Sequence, residues 1–128
     1  MAKFVIDAYA WIEYFDGREK GRKAAEIIES KNNSIFTAAV TVSEIVSKLK
    51  RHNKDPTQTI SAIKALSTIV VTTLELSIIA GTIHATMKHS NKYFGMLDAF
   101  VAATAQQLGA KILTGDPDFH EFKDAIFI

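Results

Sequence analysis

Cysteine is absent from the 128 residues. That excludes disulfide bonds, thiolate catalysis and Cys-ligated zinc together, and fits a reducing compartment. Only two prolines and six glycines punctuate the chain. No Pro/Gly/Ser-rich linker, internal repeat or low-complexity tract divides it, so residues 1–128 read as one domain. Long hydrophobic runs are missing as well. Thr, Ser, His or a charge interrupts every apolar stretch within a few residues, which argues against a membrane span. The chain opens Met-Ala-Lys into a short strand-like run with no extended apolar leader, and on this ground a cytoplasmic location is expected. Neither sign of charge dominates, because 15 Lys and Arg stand against 14 Asp and Glu for a net +1. Nucleic acid would have to be held by a local basic patch rather than by bulk charge. Glycine-rich phosphate loops are absent too, since neither GxxxxGK[ST] nor GxGxxG occurs. His52, His84, His89 and His120 lack zinc-protease spacing, which leaves them outside the chemistry.

What is present is a foldable pattern, with 48% hydrophobic and 23% charged residues. Lys3 to Asp7 reads as a buried strand, Ala10 to Phe15 as a helix stopped by Gly17, and Arg18 to Ser30 as a second helix. Ser34 to Thr37 is a second strand. From Thr41, Val42, Ile45, Val46 and Leu49 recur at helical spacing. Asp55-Pro56 reads as an N-cap with proline at the first helical position of a helix reaching Ser67. Ile69 to Thr73 is dense in β-branched residues and predicts a third strand. Leu74 to His89 and Met96 to Leu108 return to helical spacing, the latter closed by Gly109. Lys111 to Thr114 and Ala125 to Ile128 complete the strands. The alternation predicts an α/β fold with a mainly parallel sheet of about five short strands flanked by helices.

Such a sheet gathers the carboxyl ends of its strands on one edge, where open α/β folds bind ligands. Asp7 ends the first strand and Asp116 follows the fourth. Glu44 stands three residues after Thr41, at capping-box spacing, and can also pair with Lys48. Asp98 lies early in its helix, where it complements the dipole, with Ala102 and Ala105 on its own face. Each acid has a structural explanation singly. Together, converging within about 5 Å, they repel one another by a few kcal/mol per pair at an effective dielectric near 20. Helix dipoles return only about 1 kcal/mol each. The expected remedy is a divalent cation, Mg²⁺ or Mn²⁺ for an all-oxygen ligand set, with Asp7 kept partly wet beside it. That cluster supports phosphoryl-transfer chemistry. Thr114 could orient the attacking water or a carboxylate, and Asp118 could reach a metal through water.

The stretches VIDAYAWIEYF, TVSEIV, GMLDAFVAATA and ILTGDPDFHEF, in this order, resemble the PIN-domain ribonucleases, specifically the VapC-type toxins of toxin–antitoxin pairs. The resemblance spans Lys3 to Ile128. It implies a single PIN-like domain, with the acidic quartet falling on Asp7, Glu44, Asp98 and Asp116, the hydroxyl residue on Thr114 and an additional acid on Asp118. It further implies Mg²⁺- or Mn²⁺-dependent endonucleolytic cleavage of RNA, a homodimer, and inhibition by a small VapB-like antitoxin. One departure stands out. Relatives often carry Thr or Ser after the first acid and Ser or Asn next, whereas Ala8 and Tyr9 follow Asp7 here. The alternative is therefore a catalytically weak PIN-like domain that binds RNA or a protein. Other folds fit less well: a haloacid-dehalogenase-like phosphatase wants an aspartate where Tyr9 stands, and a phosphate-receiver domain wants adjacent acids and a late lysine.

Cations for an RNA substrate are offered by Lys48, Lys50, Arg51, His52 and Lys54, and by Lys88, His89 and Lys92 with Tyr93 and Phe94 alongside. Trp11, Ile12, Tyr14 and Phe15, and the stripe Ile78, Ile79, Ile83 and Met87, fit either core packing or a protein interface.

Overall fold

The computed structural model describes residues 2–128. Strand β1 (Ala2–Ile6) is followed by helices α1 (Ala8–Asp16) and α2 (Glu19–Ile28), strand β2 (Asn33–Ala38), and helices α3 (Ala39–Arg51) and α4 (Thr57–Leu66). Then come β3 (Thr68–Val70), α5 (Leu74–Met87), α6 (Met96–Leu108), β4 (Lys111–Thr114), a 3-10 turn (Pro117–Phe119) and β5 (Ala125–Phe127). The five strands form one sheet in the order β3-β2-β1-β4-β5. Every pair is parallel, in register Phe4↔Ile35 and Phe4↔Lys111 across β1. The α/β architecture expected from the alternation is the one observed.

Period-2 alternation sorts the strand side chains between two cores. Phe4 and Ile6 of β1 join Trp11, Ala24, Ile35, Ile45, Ile63 and Leu113 on the face covered by α1 to α4. Val5 points the other way and joins Ile112, Leu76, Ala80, Phe94 and Phe119 under α5 and α6. Helix α6 approaches closely because its inner face is built from Ala99, Ala102, Ala103 and Ala105, all buried. Each fully buried Ile, Leu or Val contributes about 1.5–3 kcal/mol against leaving it in water. Trp11 belongs to the core under α1 to α4, its indole N–H donating to Thr37 Oγ1 at 3.0 Å. Phe94 belongs to the other core, under α5 and α6, stacked on Phe122, so of the two loop aromatics only Tyr93 remains as a surface for a base.

Some boundaries differ from expectation. Helix α3 starts at Ala39 rather than Thr41, directly from β2, and its N-cap Ala38 has no side-chain cap. Asp55 Oδ1 does accept from Thr57 N–H and Oγ1 at 3.0 and 2.7 Å, but Pro56 rather than Asp55 is the N-cap of α4, without a side-chain cap, and the helix begins at Thr57. The third strand ends at Val70; Thr73, its backbone still extended, lies outside the sheet and accepts the Leu76 N–H to cap α5. No helix among the described residues is long and apolar enough to cross a membrane.

Candidate metal centre

The strand order reverses between β1 and β4, which places a crevice at their shared carboxyl edge. Asp7 follows β1 there, its N–H still paired to Leu113 C=O at 3.0 Å. Thr114 ends β4 on the neighbouring strand. Its hydroxyl donates to Asp7 Oδ2 at 2.8 Å and accepts the Asp116 N–H at 3.0 Å. Asp116 then turns the chain, accepting the Asp118 N–H on Oδ1 at 2.9 Å with Pro117 between them. The remaining two acids come from helices that start at the same edge. Asp98 sits in the first turn of α6 and accepts the Gly95 N–H at 3.1 Å, so it does cap that helix. Glu44 projects from α3 without a partner for Oε1, although that atom is buried.

These carboxylates gather as the sequence predicts, with a difference in which are nearest. Oxygens of Asp98, Asp116 and Asp118 all lie within 4.8 Å of one another. Asp118, expected only at the end of a water bridge, thus stands inside the tightest group. Asp7 and Glu44 flank it closely enough to feel the charge of both Asp98 and Asp116. Asp7 is not partly wet as expected but only 3% exposed. Burial pushes its carboxyl up to about 6, against the Thr114 hydrogen bond that lowers it, with Asp98 and Asp116 adding repulsion. Burial and then the charges of Asp7, Asp98 and Asp116 push Glu44 up to about 7. Burial pushes Asp98 up to about 6, opposed by the Gly95 N–H and assisted by the charges of Asp116 and Asp118.

Neither structural role foreseen for Glu44 is filled. Thr41 lies inside α3 with its buried hydroxyl unpartnered, so no capping box forms. The one ion pair among the described residues joins Arg18 to Asp16, away from this edge, so Lys48 does not neutralise Glu44. All-oxygen donors, an orphaned buried carboxylate oxygen and mutually raised acids together suit a hard divalent cation.

One feature of the site escaped sequence reasoning. The Asn91 side-chain amide donates to Asp118 Oδ1 at 3.1 Å across 27 positions of chain. Its only sequence signal is a polar residue in the loop leading to Asp98. Tyr9 does not replace the small hydroxyl residue of relatives: its phenol oxygen accepts from Lys20 Nζ at 2.8 Å. Its ring lies on Gly115, where a Cβ would fall 2.1 Å from Cε1, so any side chain at that position of the TGD turn would have to displace the Tyr9 ring. Thr114 is the residue that supplies a hydroxyl to Asp7.

Residues 4–125 match the family model described as PIN domain. A search of curated proteins finds no match. Solved structures do match. A toxin-antitoxin complex from Klebsiella pneumoniae is 22% identical at a TM-score of 0.73, covering 98% of this chain and 96% of that one. Mycobacterium tuberculosis VapC20, a sarcin-ricin loop cleaving toxin, is 17% identical at 0.73 with coverages of 98% and 96%. VapBC2 from Rickettsia felis, bound to a DNA fragment from its promoter, is 12% identical at 0.75 with coverages of 98% and 97%.

Proposed function

This chain belongs to the PIN-domain family, and on that premise we propose that it is a metal-dependent endoribonuclease of the VapC type, the toxin of a toxin–antitoxin pair. One observation carries the reading: Asp98, Asp116 and Asp118 converge within 4.8 Å, flanked by Asp7 and Glu44, with no Lys or Arg among the described residues paired to any of them. Asp98, Asp116 and Asp118 would hold Mg²⁺ or Mn²⁺, with Asp7 and Glu44 as further ligands. When bound, such an ion neutralises the acids, activates water and stabilises the negative charge that develops as a phosphodiester is cleaved. The chain's own residues orient the acids. Thr114 fixes the Asp7 carboxylate, Asn91 fixes Asp118, and the Gly95 N–H fixes Asp98. Thr114 is also near enough to Asp7 and Asp116 to align an attacking water between them.

The partners follow from the same reading: an RNA substrate, a small VapB-like antitoxin and a second copy of the chain. The complexes among the structural neighbours support the antitoxin. An apolar surface supports the second copy, since Val71, Leu74 and Ile78 are 66%, 78% and 62% exposed around the start of α5.

The competing reading, a catalytically weak binding module, draws on Ala8 and Tyr9. Thr114 weakens that case, because Asp7 has its hydroxyl partner from the neighbouring strand. The test is cleavage of total RNA with Mg²⁺, Mn²⁺ or chelator, alongside thermal melting. Metal at one hundred times its dissociation constant raises stability by about 2.7 kcal/mol. Asp98→Asn and Asp116→Asn are expected to abolish cleavage and shrink the melting shift. Metal-independent RNA binding with no cleavage by the unaltered chain would establish the binding module instead.

A further inference from the structure

A cavity of about 440 Å³ opens beside the acid cluster, between α1, α3 and α6. Its walls include Glu44 itself together with Ala8 and Leu97, the chain neighbours of Asp7 and Asp98. Along α3 the same wall continues through Lys48 and Arg51, with Ile12 of α1 also lining the space. A smaller hollow of about 190 Å³ shares Ile12 and Lys48 and adds His52 and Lys54. A single furrow therefore leads from an acid of the cluster to three cationic side chains and a histidine.

Glu44, Lys48 and Arg51 stand at i, i+4 and i+7, on one face of the helix. At 1.5 Å per residue, Lys48 lies about 6 Å and Arg51 about 10 Å from Glu44 along the axis. Neither cation has an ion-pair partner among the described residues. Basic residues in a last turn complement the helix dipole whichever way they face. Lys50 serves that purpose equally, yet it does not line the furrow and instead acts on Asp55, whose carboxyl it helps hold low. The dipole thus accounts for the number of cations in this turn and not for the direction of Lys48 and Arg51.

Resting on the nuclease reading, we infer that this α1–α3 furrow is the path of the RNA strand on one side of the scissile bond, with Lys48 and Arg51 neutralising its phosphates. A polyanion approaching five clustered acids is repelled until it meets compensating charge. The furrow supplies that charge within one or two nucleotides of the acids, with the apolar side of Ile12 against which sugar or base can pack. The surface is selective for backbone charge rather than for sequence.

The test measures binding of a short labelled single-stranded RNA across a salt series, in an Asp116→Asn background that does not cleave. Each lost phosphate contact lowers the slope of log K against log salt by about 0.7 for a single strand. Lys48→Ala/Arg51→Ala is expected to lower it by about 1.4 and to weaken binding at low salt. Lys50→Ala, from the same turn, is expected to leave the slope unchanged. An unaltered slope in the double variant overturns the inference, including the case where that variant loses only a protein partner. Cleavage by the unaltered chain is scored separately. Metal-dependent cleavage with an unaltered slope refutes the strand path alone, whereas a lowered slope without metal-dependent cleavage refutes the nuclease reading alone.

Discussion

Removing one hydroxyl tests the design of the proposed metal centre most directly. Thr114 is fully buried, and its Oγ1 is shared between Asp7 Oδ2 and the Asp116 N–H. Thr114→Val keeps the shape and deletes both bonds. A hydrogen bond to a charged group contributes roughly 1.5–3 kcal/mol, so the ionised form of Asp7 loses about that much. Its carboxyl, already pushed up to about 6, moves higher still. A metal must then displace a proton from Asp7 at neutral pH, and affinity is expected to fall about ten- to a hundredfold. Two measurements follow it: the metal concentration that half-saturates the melting shift, and the pH dependence of RNA cleavage. The acid limb of the cleavage profile should move to higher pH in Thr114→Val and return in Thr114→Ser. Unchanged metal affinity and an unchanged acid limb in a folded Thr114→Val protein would refute the reasoning and reduce Thr114 to a β-branched strand residue.

Two further outcomes are expected. Asp7, Glu44 and Asp98 titrate near 6, 7 and 6 in the folded chain, so between about pH 4 and pH 7 it holds protons that the unfolded chain has released. Their contribution to the stability of chelated protein is therefore greatest near pH 4 and falls as pH rises, by about 3 kcal/mol for Asp7 alone. Melting in chelator across that range should show the fall, and saturating Mg²⁺ or Mn²⁺ should suppress it; a chelated protein that gains stability from these acids above pH 6 contradicts the repulsion. At Gly21, an added Cβ would lie 2.0 Å from the Glu13 carbonyl oxygen, backbone against backbone. Gly21→Ala should thus separate α1 from α2, the cost of about 1–3 kcal/mol outweighing a helix-propensity gain of about 1 kcal/mol. Denaturant titration reads the difference.

The fold was legible because its signals are local. Val5 and Ile6 point to opposite cores as period-2 alternation requires, and α6 ends at Gly109 where the helical pattern does. Boundaries were illegible where a local signal was missing or shared. Nothing at Ala38 marks a helix start, since its side chain caps nothing, whereas Thr41 and Glu44 imitate a capping box that does not form. Val71 to Thr73 have strand propensity, yet Thr73 is taken by the α5 cap. At the acidic edge, parallel topology is enough to bring Asp7, Glu44, Asp98 and Asp116 together. It cannot show that Asp118 joins Asp98 and Asp116 or that Asn91 holds it, because those contacts depend on how a tight turn and a distant loop meet.

The way the acids are held is itself informative about what they hold. Asp7 accepts from a hydroxyl, Asp98 and Asp116 from backbone N–H groups, and Asp118 from a side-chain amide. All of these donors are neutral. A lysine or arginine in any of these places would orient a carboxylate equally well and bring its pKa down, but would also cancel charge. Neutral donors fix direction while leaving most of the repulsion in place, and Glu44 Oε1 receives no donor at all. A protein whose acids served only stability would gain by pairing them, since a buried unpaired charge is among the costlier features of a fold. Retaining that cost at one edge, where Lys48 and Arg51 stand near but unpaired, is consistent with a centre arranged for a cation from solution, with the chain's own cations left for the phosphates.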